Sequence, residues 1–339
     1  MTRTIPLIDL DDFENAATHA NFLEDLRAAA RDVGFFYLSG HGISLEEIEE
    51  ILALTQAFFE LPDDDKLMID MINSPHFRGY TRLGNERTNA GADWREQLDL
   101  GIEREALPIA PDSPPYRRLY GPNQWPEHLP QLQPVIENWQ AKTERAAIRL
   151  LEAFSLALGQ ERNALANVYC DEPNHRMKLA RYPGKTALHS SNQGVGAHKD
   201  GGFLTLLLQD DKGGLQVEYD GVWLDAVPVP GTLVVNIGEL LELASNGYLR
   251  ATVHRVIAPP AGTARYSVPF FFSARLDATI PLLELPAHLA REARGPESDP
   301  ANPLFRNVGE NVLKSRLRSH PDVAERYYAD VLEKRRTAA

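Results

Sequence analysis

The segment from Phe203 to Ile237 limits the fold more than any other part of the chain. Phe203–Leu208 is apolar apart from Thr205, Leu215–Tyr219 is apolar or alternating, and Val222–Val227 and Thr232–Ile237 come after it at short intervals. Asp210-Asp211-Lys212-Gly213-Gly214 separates the first two, and Asp220-Gly221 is a hairpin signal before the third. Short strands joined by turns of this kind build an antiparallel sandwich or barrel. The pattern begins near Met177, and Asn246-Gly247 and Gly262 punctuate the chain beyond Ile237.

Upstream the chain reads mainly as helix. Leu23, Leu26, Ala30 and Val33 recur at helical spacing and Gly34 stops them. Phe35-Phe36-Tyr37-Leu38 is then a short buried strand. Ser44-Leu45-Glu46-Glu47 has the capping-box pattern and opens a helix that ends near Leu61-Pro62. Residues 73 to 130 are rich in Pro, Gly, Asn and charge, and read as loops and short pieces that could line a site. Val135 to Leu158 forms a long amphipathic helix closed by Gly159, and Asp322 to Lys334 a final one.

The 339 residues suffice for one large domain or two small ones. A net charge of −13 argues against a broad nucleic-acid footprint. No apolar run approaches the roughly 20 residues that span a bilayer, and no secretory h-region is seen. With Cys170 as the single cysteine there is no intramolecular disulfide, and a cytoplasmic protein is the plain expectation.

The chemistry concentrates in a few residues. His198 and Asp200 stand at i and i+2, so a strand would present an imidazole and a carboxylate side by side, with Lys199 on the other face. Such a pair suits a surface hydrogen bond, a proton relay or part of a metal site. His254 lies in Thr252-Val253-His254-Arg255-Val256, where a packed core histidine is the ordinary case. Arg265 and Ser267 again share a face, and a guanidinium beside a hydroxyl suits a carboxylate, unless one of the 48 acidic residues takes the arginine. Together, two histidines and one carboxylate match the facial triad of non-haem Fe(II) oxygenases.

The constellation resembles the 2-oxoglutarate and Fe(II)-dependent oxygenases, in their isopenicillin N synthase-like branch. His254 follows Asp200 by 54 positions and Arg265 follows His254 by 11, which fits the His-x-Asp, His, Arg-x-Ser motif of that family. The resemblance extends over Gly213–Val256, and over IPLIDL, GFFYLSGHGI and FRGYTRLGNE near the amino terminus. It implies a mainly β fold with flanking helices, a double-stranded β-helix or jelly roll behind a helical amino-terminal region. The implied division is an amino-terminal helical and loop region over 1–120, a packing helix and connector over 121–176, the jelly-roll core over 177–280, and a carboxyl-terminal extension over 281–339.

By the same resemblance His198, Asp200 and His254 would bind Fe(II). Arg265 and Ser267, with Tyr182 assisting, would hold the 2-oxoglutarate cosubstrate, and O2 would complete the reaction. The implied activity couples oxidative decarboxylation of 2-oxoglutarate to C–H hydroxylation, desaturation or ring closure in a small organic substrate. Ala180-Arg181-Tyr182-Pro183 departs from the Asn-Tyr-Tyr-Pro of plant members and is closer to isopenicillin N synthase. That enzyme uses Fe(II) and O2 without 2-oxoglutarate, so this oxidase chemistry stays open as an alternative. A zinc hydrolase on the same ligands and a binding protein that has lost its chemistry are further rivals. Phe203, Leu206 and Phe272 are candidates for a dry wall, and Phe77, Arg78, Tyr80, Trp94 and Arg95 for substrate contacts.

Overall fold

Ser44 and Glu47 form the reciprocal cap that their spacing predicts. The Glu47 amide donates to Ser44 Oγ at 3.3 Å and the Ser44 amide to Glu47 Oε2 at 2.9 Å. The computed structural model describes residues 4–88, 91–171, 173–186, 193–297 and 302–338. Its first elements are β1 (Leu7–Asp9), α1 (His19–Asp32), β2 (Phe35–Ser39), the capped α2 (Leu45–Glu60) and the short α3 (Asp63–Met68). Gly34 turns the chain from α1 into β2 at φ +73°, a conformation that a side chain disfavours.

The next strands are β3 (Gly79–Thr81), β4 (Arg87–Thr88), β5 (Gly91–Ala92) and β6 (Glu96–Gly101). The long α4 (Leu132–Ala157) leads into β7 (Arg176–Tyr182), β8 (Gln193–His198), β9 (Leu204–Gln209), β10 (Leu215–Tyr219), β11 (Val222–Asp225) and β12 (Leu233–Ile237). After α5 (Glu239–Ala244) come β13 (His254–Ile257), β14 (Arg265–Phe272), α6 (Ala287–Ala290), α7 (Val308–Ser319), α8 (Pro321–Tyr327) and α9 (Ala329–Ala338).

Two sheets carry the architecture. The larger runs β1-β2-β12-β9-β14-β7-β6-β3, antiparallel except where β1 joins β2, and the smaller runs β11-β10-β13-β8. Strand alternation then divides the core in two. Phe36, Leu38, Leu206 and Phe270 face α4, among them its Leu150 and Phe154. Phe35, Tyr37, Tyr182, Val195, Leu215 and Val256 form a second cluster with members from both sheets. The jelly-roll expectation holds, and the large sheet crosses the sequence divisions at 120 and 176, because β1, β2, β3 and β6 are built into it.

Two elements differ from the sequence expectation. Residues 73–130 contain β6, every residue of which is buried, where a loop is expected. Leu98 and Leu100 alternate with the polar Gln97 and Asp99, but over too few residues to stand out in a charged stretch, and the strand's charges are neutralised by residues far along the chain. Glu96 accepts from Arg181 at 2.5 Å and from the Tyr80 hydroxyl at 2.6 Å, while Asp99 meets Arg316 at 2.9 Å. The expected last helix is broken into α8 and α9 at Tyr328. That side chain is fully buried, its ring stands 5.4 Å from that of Phe77, and its hydroxyl donates to the Pro75 carbonyl at 2.8 Å. Arg118 donates to the carbonyl of Tyr327 at the break and pairs with Asp330. Among the described residues no helix is long and apolar enough to cross a membrane.

The loop that carries Asp200 is held by backbone contacts at the β12–α5 junction. The Gly238 amide donates to Phe203, Glu239 to Asp200 and Leu240 to Gly202. A Cβ on Gly238 would stand 2.1 Å from the Gly202 carbonyl oxygen. Gly238→Ala should therefore displace the loop and destabilise the protein by about 1–3 kcal/mol in a denaturant titration, because the neighbour is backbone and cannot rotate away. Unchanged stability would contradict this packing.

Candidate metal centre and carboxylate anchor

His198 is the last residue of β8 and His254 the first of β13, and the two are register partners in the small sheet. Their ring centroids lie 4.3 Å apart. Asp200 is not a same-face neighbour on the strand, as the i, i+2 spacing predicts. β8 stops at His198, and Gly201-Gly202 turns the chain so that the carboxylate meets both rings from the loop. Lys199 does point away, to Glu297 at 2.6 Å. One ligand atom from each of His198, Asp200 and His254 fits within a mutual distance of 4.8 Å.

The surroundings fix which atoms face the centre. His198 Nδ1 lies 2.8 Å from the Gly196 carbonyl and His254 Nδ1 lies 3.1 Å from that of Thr252. A carbonyl only accepts, so each Nδ1 carries the proton and each Nε2 keeps a lone pair. Asp200 Oδ2 accepts from the Thr205 hydroxyl at 2.5 Å and from Asn236 Nδ2 at 2.9 Å. Oδ1 then remains 3.5 Å from His198 Nε2, so the open atoms of all three residues converge.

Electrostatics agree with this arrangement. Burial opposes ionisation of Asp200, but the two histidines and the Thr205 hydroxyl hold its carboxyl well below the usual range. Burial, with His198 beside it, pushes His254 down to about 4, so it stays neutral at pH 7. Burial also disfavours the charged form of His198, yet the hydrogen bond and charge of Asp200 prevail and raise it, so its Nε2 favours a proton that a bound metal ion would displace. Two nitrogen lone pairs and a carboxylate on one side of a cavity are a donor set that fits Fe(II).

Across from this set, the large sheet supplies a second one. Arg265 and Tyr182 are register partners on β14 and β7, and Ser267 is two residues on from Arg265. Arg265 is 1% exposed, and among the described residues no carboxylate pairs with it. Its guanidinium carbon lies 4.8 Å from the centroid of the Tyr182 ring, and Nη2 donates to Gln209 at 3.3 Å. Nε and Nη1 have no partner, and leaving such buried donors unmatched is costly. Burial alone would raise the Tyr182 phenol, but the positive charges of Arg95 and Arg265 lower it. This orphaned arginine, beside a buried hydroxyl and a phenol, fits the far carboxylate of a dicarboxylic acid.

All six sequence-predicted site residues line one cavity, with about 470 Å³ of empty space including its mouth. Its apolar wall differs from the expectation. Phe203, Leu206 and Phe272 pack in the helix-side core, and Phe35, Val195, Leu207 and Phe271 line the cavity instead, because alternate residues of a strand face opposite ways. Of the five expected substrate contacts only Arg95 lines it; Phe77 and Tyr80 belong to the helix-side core. Sequence reasoning missed Thr205, Asn236 and Gln209. The one available signal was Asn236, a lone polar residue inside the apolar strand Leu233–Ile237.

Comparison with known proteins agrees with this geometry. Residues 5–128 match the family described as non-haem dioxygenase in morphine synthesis N-terminal, and residues 164–274 match the 2OG-Fe(II) oxygenase superfamily. The chain is 37% identical to the 2-oxoglutarate-dependent dioxygenase frbJ of Dothideomycetidae sp. (strain 11243), over 97% of this chain and 94% of that one. It is 33% identical to a homoarginine-6-hydroxylase of Arabidopsis thaliana, over 84% of this chain and 88% of the relative. Among solved structures, a full-length Neurospora crassa protein in complex with alpha-KG and thymine superposes with a TM-score of 0.74 at 25% identity, covering 91% of this chain and 95% of that one.

The hydrogen bonds to Asp200 generate a prediction. Asn236→Ala and Thr205→Val should each weaken metal binding by about 10–100-fold while the protein stays folded, as read by Mn(II) titration of the metal-free protein. Wild-type affinity in both variants would show that these contacts do not orient the carboxylate.

Proposed function

The chain belongs to the 2-oxoglutarate and Fe(II)-dependent oxygenase superfamily, and from that premise we propose a reaction and a role for each residue in the cavity. The protein is an oxidoreductase, a dioxygenase whose cofactor is Fe(II) and whose cosubstrates are 2-oxoglutarate and O2. This resolves the alternatives of a zinc hydrolase and of an oxidase working without 2-oxoglutarate. The substrate is a small molecule, and hydroxylation of an unactivated C–H bond is the reaction we assign. Relatives named for hydroxylation support it.

His198, Asp200 and His254 would hold the iron, and Arg265, Ser267 and Tyr182 the far carboxylate of 2-oxoglutarate. When bound, the metal and cosubstrate together supply the activation of O2 and the oxidising power for the C–H bond. The chain supplies the rest. Thr205 and Asn236 orient the Asp200 carboxylate, and the Gly196 and Thr252 carbonyls keep both imidazoles with Nε2 unprotonated. Arg265 and Ser267 set the depth of the cosubstrate. Phe35, Val195, Leu207 and Phe271 make the wall apolar, which limits stray water. No side chain needs to move a proton for the C–H bond to break.

The observation that carries this reading is the buried guanidinium of Arg265, with Nε and Nη1 unmatched, in the cavity shared with the triad. Arg265→Ala should raise the KM for 2-oxoglutarate by about 10–100-fold, since a charge-assisted contact contributes on the order of 1.5–3 kcal/mol. The kcat at saturating cosubstrate should fall far less. The check is succinate release at varied 2-oxoglutarate, and an unchanged KM would contradict the assignment.

A further inference from the structure

Beside the inner face of the large sheet lies a second group of arginines, from β7, the segment before β3 and α7, with no part in holding iron or 2-oxoglutarate. On β7 the inward positions are Arg176, Lys178, Ala180 and Tyr182, so Arg176 shares a face with the Tyr182 of the cavity. Arg176 is flanked in register by Gly101 of β6 and by Phe271 of β14. Its guanidinium carbon lies 5.4 Å from the centroid of the Phe271 ring, and Phe271 lines the cavity of the triad. Arg176 is part-exposed, and its side chain makes no hydrogen bond or ion pair among the described residues.

Arg78 comes to the same place. It is 6% exposed and packs over Gly101, where a Cβ would stand 2.2 Å from its Nη2. A glycine opposite Arg176 thus leaves room for a second guanidinium. Arg78 Nη1 donates to the His76 carbonyl at 3.2 Å, and its Nε is unmatched. Arg316 of α7 closes the group at 3% exposure. Its Nη1 meets Asp99 at 2.9 Å, while Nη2 has no partner.

Arg316 bonds Asp99, which Lys178 also approaches at 3.7 Å, while Arg78 and Arg176 feel the charge of that carboxylate without pairing with it. The nearby acids are already engaged. Glu86 is bound by Lys178 at 2.8 Å and by Arg95 at 2.5 Å, and Asp93 lies 3.4 Å from Arg95. Burial, with Arg316 close by, pushes Arg78 down to about 10 and Arg176 down to about 9, the sign of cations that lack counter-charge. At the buried positions of Arg78 and Arg316, a fold that only needed filling would do better with apolar side chains, because uncompensated buried charge is strongly unfavourable. Forked guanidiniums with free N–H groups match the oxygens of an anion.

We propose that Arg78, Arg176 and Arg316 form an anion-binding subsite that adjoins the cavity of the triad at Phe271, and that the prime substrate is a small molecule held by its own carboxylate. The inference rests on the reading given under Proposed function. It adds a second anchor, contributed in part by α7 and distinct from the Arg265 pair. The carboxylate of the substrate docks beside Phe271, and the oxidised carbon is the one that then reaches the triad.

The test uses the full chain loaded with Fe(II) and saturating 2-oxoglutarate under argon, with sodium propionate as the probe and sodium chloride fixing the ionic strength. The visible absorption band of iron-chelated 2-oxo acid reports the parent reading, and the melting temperature reports the subsite. Propionate should raise the melting temperature saturably in the wild type without changing the band. Arg176→Gln should lower the apparent propionate affinity by about tenfold or more. It should keep the band and melt, without propionate, at or above the wild-type temperature. Arg78→Gln should lose the same response. No saturable rise in the wild type, or an undiminished one in Arg176→Gln, overturns the subsite while the band leaves the parent reading standing. Inorganic phosphate binding more tightly than propionate overturns the carboxylate and makes the substrate group a phosphate. Absence of the band overturns the parent reading and this inference with it.

Discussion

The structure depends on burying a polar face between two sheets. One face of a sheet in a sandwich is ordinarily apolar and fills the interior. Here the inward residues of β6, β7, β9 and β14 include Asp99, Lys178, Thr205, Gln209, Arg265 and Ser267, and all but the part-exposed Gln209 are buried. Each must find a partner or remain a cost. Most do. Asp200 gathers Thr205 and Asn236, Glu86 gathers Lys178 and Arg95, and Asp99 gathers Arg316. The partnered groups keep the cavity walls rigid, and the unpartnered ones mark where ligands belong.

The division of labour between the sheets follows from this constraint. The small sheet carries both histidines as register partners, and the large sheet carries Arg265 opposite Tyr182. A molecule that bridges the two sets spans the gap between the sheets. Arg95 connects them from the side. It lies 3.5 Å from the Tyr182 hydroxyl, and its neighbour Asp93 accepts from the Gly196 amide, whose carbonyl orients His198.

The residues of the candidate triad and anchor were legible in the sequence through the His-x-Asp, His and Arg-x-Ser spacing of the family they resemble. Arg265 and Ser267 share a face as expected. His198 and Asp200 converge as well, although a turn brings them together where a continuous strand was expected. The capping box at Ser44, the stop at Gly34 and the Asp220-Gly221 turn were readable because each is a local rule. The strand β6 was not, since Glu96, Gln97 and Asp99 look like surface residues until distant cations arrive. The break at Tyr328 was hidden similarly, because it depends on Phe77, Pro75 and Arg118 far along the chain. The apolar wall was misplaced by one residue on each strand, which is enough to exchange cavity for core.

The central claim is that a buried triad and a buried arginine act on one molecule in one cavity. The most direct test is an anaerobic titration of Fe(II)-loaded protein with 2-oxoglutarate, following the visible band of the chelated 2-oxo acid. The account predicts a band that saturates at one equivalent in the wild type and is absent in a folded Asp200→Ala variant. A full band in that variant, or none in iron-loaded wild type, would contradict it.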